Sequence, residues 1–424
     1  MIETEAMPFS SEVHEFVRSS FAYLDKDMFG NERLFFENSG GSLRLKSVVA
    51  EEAKFAAYPD CPLRDNPAAQ LLTDTMERGM DDIRLFLNAK DGSIIPSSTA
   101  SKIMFEIIGV IAEHSVGTNI VTTGIEHPSS YDACKMYADK TQKELRVAQA
   151  NQHTGGVDVE DIISLVDSET SLLSVMMTSN ISGTVLDIET IVKKVREINP
   201  DIFIVVDAVQ AAPHSVIDVD KLQIDGLNIA PYKMFGNRGM AYGYVSDRVA
   251  AFPHHRLLAT DETNWSVGSP APAHFAGFTK IVDYLCQVGS FYTDTTDRRT
   301  LLTKGMTKIH QHEQALLDRI IHGSDEVQGI QDIEGVNIHF IDHGIENKDL
   351  IAALTFNQLS CSEAVGKYGV ENILVYERVN SNHYSKRILD SLQVEGIVRV
   401  SPLHCHSFED IDKFLLATKK IASL

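Results

Sequence analysis

A chain of 424 residues with 38 Lys and Arg against 59 Asp and Glu, a formal charge of −21, is long for one domain and suggests two. It is also too acidic to expect nucleic acid or an anionic membrane as partner, since basic patches hold both. Hydrophobic residues make up 43% and charged residues 23%, a globular balance, and no run reaches the ~18 apolar residues of a membrane span. Five cysteines, at 61, 134, 286, 361 and 405, keep neither CxxC nor His spacing; no metal site or disulfide framework is expected, and a reducing cytoplasm fits. The acidic MIETEAMPFSSEVHEF at the start lacks the basic-then-apolar order of a signal peptide.

In chain order, residues 10–28 carry Val13, Phe16, Val17 and Phe21 at helical spacing and read as an arm helix. FFENSGGS (35–42) breaks into a turn that Gly40-Gly41 allows. Leu72, Met76, Met80 and Ile83 mark a helix face within 67–88. Ser97, Ser98 and Thr99 then precede an apolar helix reaching 114, donors that suit a helix cap as well as an anion site. NIVTTGIEHPSSYDACK (119–135), ELRVAQ (144–149), TGGVDVEDIISLVD (154–167) and the segment 171–198 repeat strand, loop and helix, the rhythm of a parallel sheet with crossover helices. IFIVV (202–206) is a buried strand that delivers Asp207, with Gln210 three residues on and Lys233 in PYKMFG. A carboxylate just past such a strand lies where parallel sheets bind ligands. A lysine against apolar walls loses part of its charge and becomes a Schiff-base nucleophile. The pair taken alone reads equally as a capping Asp and a lysine at a sheet edge. MAYGYVSD (240–247) predicts a further strand, and 294–322 a long amphipathic helix bearing Leu302, Met306, Ile309, Leu316 and Ile320. Short strands in GVNIHFID, NILVYERV and GIVRVS follow, and Ser407 to Asp410 open a last helix as a capping box would.

VDAVQ (206–210) followed by APYKMFGNRG (230–239) resembles the class V aminotransferases, the cysteine-desulfurase-like group of fold-type I enzymes that use pyridoxal 5'-phosphate (PLP). The resemblance spans roughly residues 30–420. It implies an α/β fold, with a large PLP-binding domain at 30–290 built on a mostly parallel seven-stranded sheet. Residues 1–29 and 291–424 then form a smaller domain, an N-terminal arm plus a C-terminal α+β part. It also implies PLP as cofactor, Lys233 as its covalent anchor, Asp207 at the ring nitrogen and Gln210 at the phenolic oxygen. SNISG (179–183) resembles the family's S-N-x-x-G, which brings Asn180 to the same side, and the EHPSS setting of His127 implies a ring-stacking histidine that assists proton transfer. Ser98 and Thr99 would bind the phosphate, although Ser97 and Ala100 depart from the Gly and acidic residue of many relatives. Tyr232 stands where many carry His, and its hydroxyl could serve the phosphate as well. Ser269 replaces the Thr that reaches the phosphate of a partner subunit's cofactor, which implies a homodimer. Arg399 in GIVRVS would pair with a substrate α-carboxylate, Asn38 would line the substrate mouth, and His383 would act as an acid or base.

Desulfurases of the second group carry a nucleophilic cysteine 15 residues before this arginine; here that position is Tyr384. Cys361 lies 38 residues before Arg399 and Cys405 follows it, so persulfide transfer is not expected. The reading is a PLP enzyme acting at the Cα of an amino acid by transamination or C–S lysis. An epimerase of the same family and a catalytically silent PLP-binding protein are the alternatives. No G-x-G-x-x-G opens a βα unit, which argues against a dinucleotide-dependent dehydrogenase.

Overall fold

The structure is a computed structural model and describes residues 8–59, 61–342 and 344–423. Seven strands form its central sheet in the spatial order Ser93–Ser97, Ala241–Val245, Gly226–Ile229, Phe203–Asp207, Thr170–Met176, Asn119–Thr123, Glu144–Ala148. Neighbours pair in parallel except at Ala241–Val245, which runs antiparallel to both its partners. The central strands read as unbroken apolar runs because both faces are covered. Ile204 and Val206 join one core with the helices Ile188–Ile198 and Pro272–Ser290. Val205 and Leu172 point the other way, into a core with Ile103, Ile107 and Ile111 of the helix Ala100–His114.

A second sheet, antiparallel throughout, follows the long helix Arg298–His322, in the order Val336–His339, Ala352–Phe356, Gly396–Val400, Tyr376–Val379. The helices Cys361–Val370 and Phe408–Ala422 close its core through Tyr368 and Phe414, whose rings stack at 5.5 Å. Ser407 and Asp410 form the reciprocal cap expected of the last helix.

The structure departs from the sequence expectations at the arm helix and in the small sheet, and it adds a helix, Lys46–Ala56, that no sequence pattern announced. The arm helix ends at Ser20, because Phe21 is drawn into a short pairing with Leu45 and packs edge-on against Phe235 and His404. The strand Ala352–Phe356, central in the small sheet, has no counterpart among the predicted elements. Its IAALTF run is short and alanine-rich, so local preference does not separate helix from strand; hydrogen-bonding neighbours on both sides do.

The helices Pro272–Ser290 and Arg298–His322 cross with backbones in contact. A Cβ on Gly305 would run into the carbonyl of Leu285, and one on Gly289 into that of Leu301. Alanine is normally the better helix former by about 1 kcal/mol, yet Gly305→Ala is expected to destabilise the protein by about 1–3 kcal/mol through overpacking. The midpoint of urea unfolding measures this; an unchanged or higher midpoint would mean that the two helices separate without cost.

Candidate active site

The parallel strands, apart from the outermost Glu144–Ala148, end at one cavity of about 430 Å³, the place where such sheets bind ligands. Each wall residue arrives by a short path from a strand end. Ser98 and Thr99 follow Ser93–Ser97, His127 follows Asn119–Thr123, Asn180 follows Thr170–Met176, and Asp207 ends its own strand. Gln210, Tyr232 and Lys233 complete the set. Nine of the twelve site residues expected from the sequence therefore meet in one cavity or touch it. These are Ser98, Thr99, His127, Asn180, Asp207, Gln210, Tyr232 and Lys233 on its wall, with Arg399 bonded to the Asn180 carbonyl.

Asp207 is 6% exposed. Its two oxygens accept from the Ser130 hydroxyl at 3.2 Å and the Val209 N–H at 3.1 Å, which fixes the plane of the carboxylate. His127 caps the helix Pro128–Thr141. Its Nδ1 accepts from the Ser129 N–H at 3.2 Å and lies 2.7 Å from that residue's hydroxyl. Burial lowers the imidazole pKa, Asp207 opposes that shift and Lys233 reinforces it. A neutral ring with its proton on Nε2 results. Thr99 caps the helix Ala100–His114 by accepting from the Lys102 N–H at 3.2 Å, and it stands with Ser98 exposed at the cavity rim, beside free helix N–H groups.

Lys233 sits on a one-turn helix, Pro231–Lys233, and donates from Nζ to the Ser39 carbonyl. Burial pushes its pKa down to about 7, and the nearby Arg399 and Arg378 push the same way. An amine that is half neutral near pH 7 is a competent nucleophile. Two wall residues carry buried oxygens without a partner, Asn180 through Oδ1 and Gln210 through Oε1. Such orphaned acceptors are the mark of a site built around a ligand that donates or is bridged there. No cluster of His, Cys, Asp and Glu able to hold a metal occurs among the described residues.

Three expected site residues lie elsewhere. Asn38 is buried with its amide spent on its own turn, donating to Phe35 and Ser401 and accepting from the Leu43 N–H. His383 begins the helix His383–Leu392, exposed, in a surface groove with Lys386 and Arg387. Ser269 is exposed on another groove, beside Trp265 and Pro270. Arg399 is 0% exposed and already bonded. Its Nη1 donates to the Asn180 carbonyl at 2.8 Å and its Nη2 pairs with Glu37 at 2.5 Å. Ser129, Thr178, Asn228, Arg238 and Arg378 join the wall without having been singled out. Ser129 lay within the EHPSS motif and Arg238 within GNRG, so both had a local signal; Arg378, one polar residue on an edge strand, had none. None of the five cysteines lines the cavity. Cys134 is buried and its thiol is pushed up to about 12, and Tyr384 stands exposed at a helix start.

Among known proteins, the sequence pattern described as "Aminotransferase class-V" matches residues 34–414. The "Probable cysteine desulfurase" of Ureaplasma parvum is 23% identical over 394 residues, covering 91% of this chain and 93% of its own length. The aminotransferase-like protein FGM3 of Gibberella zeae is 23% identical over 434 residues, covering 98% of this chain and 100% of its own. Among solved structures, the apo cysteine desulfurase of Thermococcus onnurineus superposes with a TM-score of 0.82 at 20% identity, over 98% of this chain and 100% of that one. That likeness shows the same fold.

The lowered pKa of Lys233 has a consequence for stability. Between about 7 and the ordinary lysine value of 10.5 the unfolded chain binds a proton at this residue that the folded chain does not, so stability rises with pH across that window. The penalty for burying the amine is full below about pH 7 and vanishes above the ordinary value. Lys233→Met is therefore expected to raise the melting temperature of the cofactor-free protein at mildly acidic pH and to change it little in strong alkali. Equal shifts at both ends of the range would mean that the amine keeps an ordinary pKa.

Proposed function

Since this chain belongs to the class V aminotransferase family, a family of PLP-dependent enzymes, we propose that it holds PLP in the Lys233 cavity and acts at the Cα of an amino acid, by transamination or C–S lysis. The observation that carries this reading is the meeting of Lys233, Asp207, His127, Asn180 and Gln210 in one cavity with a helix N-terminus at its rim. The donor set fits the group. Ser98, Thr99 and the helix N–H groups suit a phosphate, and Asp207 suits a protonated ring nitrogen. The unpartnered oxygens of Asn180 and Gln210 suit the phenolic side, and the neutral ring of His127 suits stacking.

When bound, PLP supplies an electron sink that makes the Cα proton of an attached amino acid acidic. The chain's own residues do the rest. Lys233, with a pKa near 7, moves that proton off and returns it. Asp207, fixed by Ser130 and Val209, would hold a proton on the ring nitrogen. Retention of all these groups argues against a silent binding protein. The lack of a cavity thiol favours release of product to solution over sulfur transfer to a protein, and the free cysteines suit a cytoplasmic setting.

We read the working form as a homodimer. Ser98 and Thr99 stand open at the rim, and Ser269 shares its groove with exposed Leu63, so a second copy covering this face would bury apolar surface and complete the phosphate end.

Borohydride reduction followed by denaturation should leave the cofactor covalently attached to the wild type and not to Lys233→Ala. A mutant that keeps covalent cofactor would sink the assignment. With single amino acids, one equivalent of keto acid in a single turnover would indicate transamination. Pyruvate and sulfide accumulating from cysteine would indicate C–S lysis, and exchange of the Cα hydrogen with inversion alone would indicate an epimerase.

A further inference from the structure

His127 stands at the junction of the strand Asn119–Thr123 and the helix Pro128–Thr141, where the chain turns through Gly124, Ile125 and Glu126. Ser129 fixes one side of the imidazole through Nδ1. What fixes the turn comes from far along the chain. The helix His383–Leu392, which connects the strands Tyr376–Val379 and Gly396–Val400 of the small sheet, lies against it. The approach is close. A Cβ on Gly124 would run into the Ser391 hydroxyl, and that hydroxyl accepts from the Ala150 N–H at 3.2 Å.

Arg387, in the middle of this helix, is half-buried and spends its fork on the turn. Its Nη1 donates to the Gly124 carbonyl at 2.6 Å, and its Nη2 donates to the Glu126 carbonyl. The guanidinium also lies over the Tyr131 ring, 3.9 Å from its centre. Tyr131 is in the first turn of the helix that His127 caps, and its N–H donates to the His127 carbonyl at 3.2 Å. The contacts of Arg387 therefore bracket His127, with two carbonyls before it and one ring after it. Only a flat, bidentate donor can serve two carbonyls and stack on a ring at once, which an ammonium cannot do. Arg387 does not line the cavity, so a ligand there feels it through what it holds. Its charge works in the same sense. Burial lowers the His127 pKa, Lys233, Arg378 and Arg387 lower it further, and Asp207 opposes them.

We propose that Arg387 is a positioning residue for the His127 ring. By clamping the turn before His127 and the helix after it, Arg387 sets the tilt of the imidazole against the cofactor and ties that tilt to the part of the chain that builds the small sheet. This rests on the reading of the cavity as a PLP site in which His127 stacks on the ring.

The test uses the cofactor-loaded protein. Visible circular dichroism of the bound PLP follows how its ring is held, absorbance shows that it is bound, and titration with PLP gives the dissociation constant. Arg387→Met should keep the absorbance band, lose much of the dichroism and weaken PLP by ~3- to 10-fold, the worth of a well-placed ring pair. Arg387→Lys, which can serve one carbonyl and not two, should fall between it and the wild type. In a His127→Ala background Arg387→Met should change neither reading further, because the ring it positions is gone. An effect of equal size in that background would overturn the proposal, and so would a lowered melting temperature with dichroism and affinity unchanged; either result makes Arg387 a brace of the fold alone. A His127→Ala variant indistinguishable from the wild type would overturn it at its premise. Should Arg387→Met fail to fold, the same cycle run with Arg387→Lys decides by the same criteria. A wild type that acquires no visible band with PLP would bring down the cofactor reading itself, and the proposal with it, before any variant is made.

Discussion

The structure turns on one unfavourable placement, an amine enclosed at the wall of a cavity without a carboxylate bonded to it. Lys233 is held near neutrality mainly by desolvation, with the guanidinium groups of Arg399, Arg378 and Arg238 adding to the effect and Glu37 opposing it. The elements around it are built to keep it there. The turn after Lys233 needs Phe235 at φ +71°, a conformation that bulky side chains rarely adopt. Phe235 stays because its ring is locked edge-on among Phe21, Tyr284 and His404, and because its N–H donates to the Ser42 hydroxyl at 2.8 Å. The loop that supplies Ser42 also supplies the Ser39 carbonyl that receives the amine. The N-terminal arm, the 38–42 loop and the C-terminal segment thus share a single task.

The electrostatics of the cavity follow from layering. Behind Asp207 lies Glu126, fully buried, whose acid is pushed up to about 8 by desolvation. It stays neutral near pH 7, hydrogen-bonded to Thr123 and to the Met176 N–H, so the negative charge on this wall is that of Asp207. Glu37 pairs with Arg399 and also attracts the guanidinium of Arg378, which lines the cavity. Farther back, His214 and Glu313 form a buried pair at 2.8 Å, with the histidine pushed up to about 9 and the glutamate held at about 2. Glu313 also accepts from the His404 N–H, so the pair braces the segment just past Arg399.

Much of this was legible in the chain. Strands buried on both faces appear as continuous β-branched runs, as at 202–206 and 119–123, and their order with intervening helices leads to a parallel sheet. The cavity-lining residues were legible for a related reason. Each follows directly on a strand end, so short motifs such as EHPSS, SNISG, VDAVQ and PYK keep residue and backbone turn together. The central strand Ala352–Phe356 was not legible, because five residues rich in alanine carry no periodic signal and take their form from hydrogen-bonding neighbours on both sides.

By itself the sequence determined the fold class and most of the groups that line the cavity, since both are written in local patterns of burial and in residues a few positions from a strand end. Only the tertiary structure decided which of these groups are free to act. Asn38 has the right neighbours in the chain, yet its amide is spent on its own turn and on the carbonyl of Ser401, 363 residues away. Arg399 sits in the expected motif, yet Glu37, 362 residues away, has already claimed it. Arg378, without any motif, is the guanidinium left facing the cavity. Whether a polar side chain is available depends on partners distant in the chain that packing brings near, and no local pattern records them.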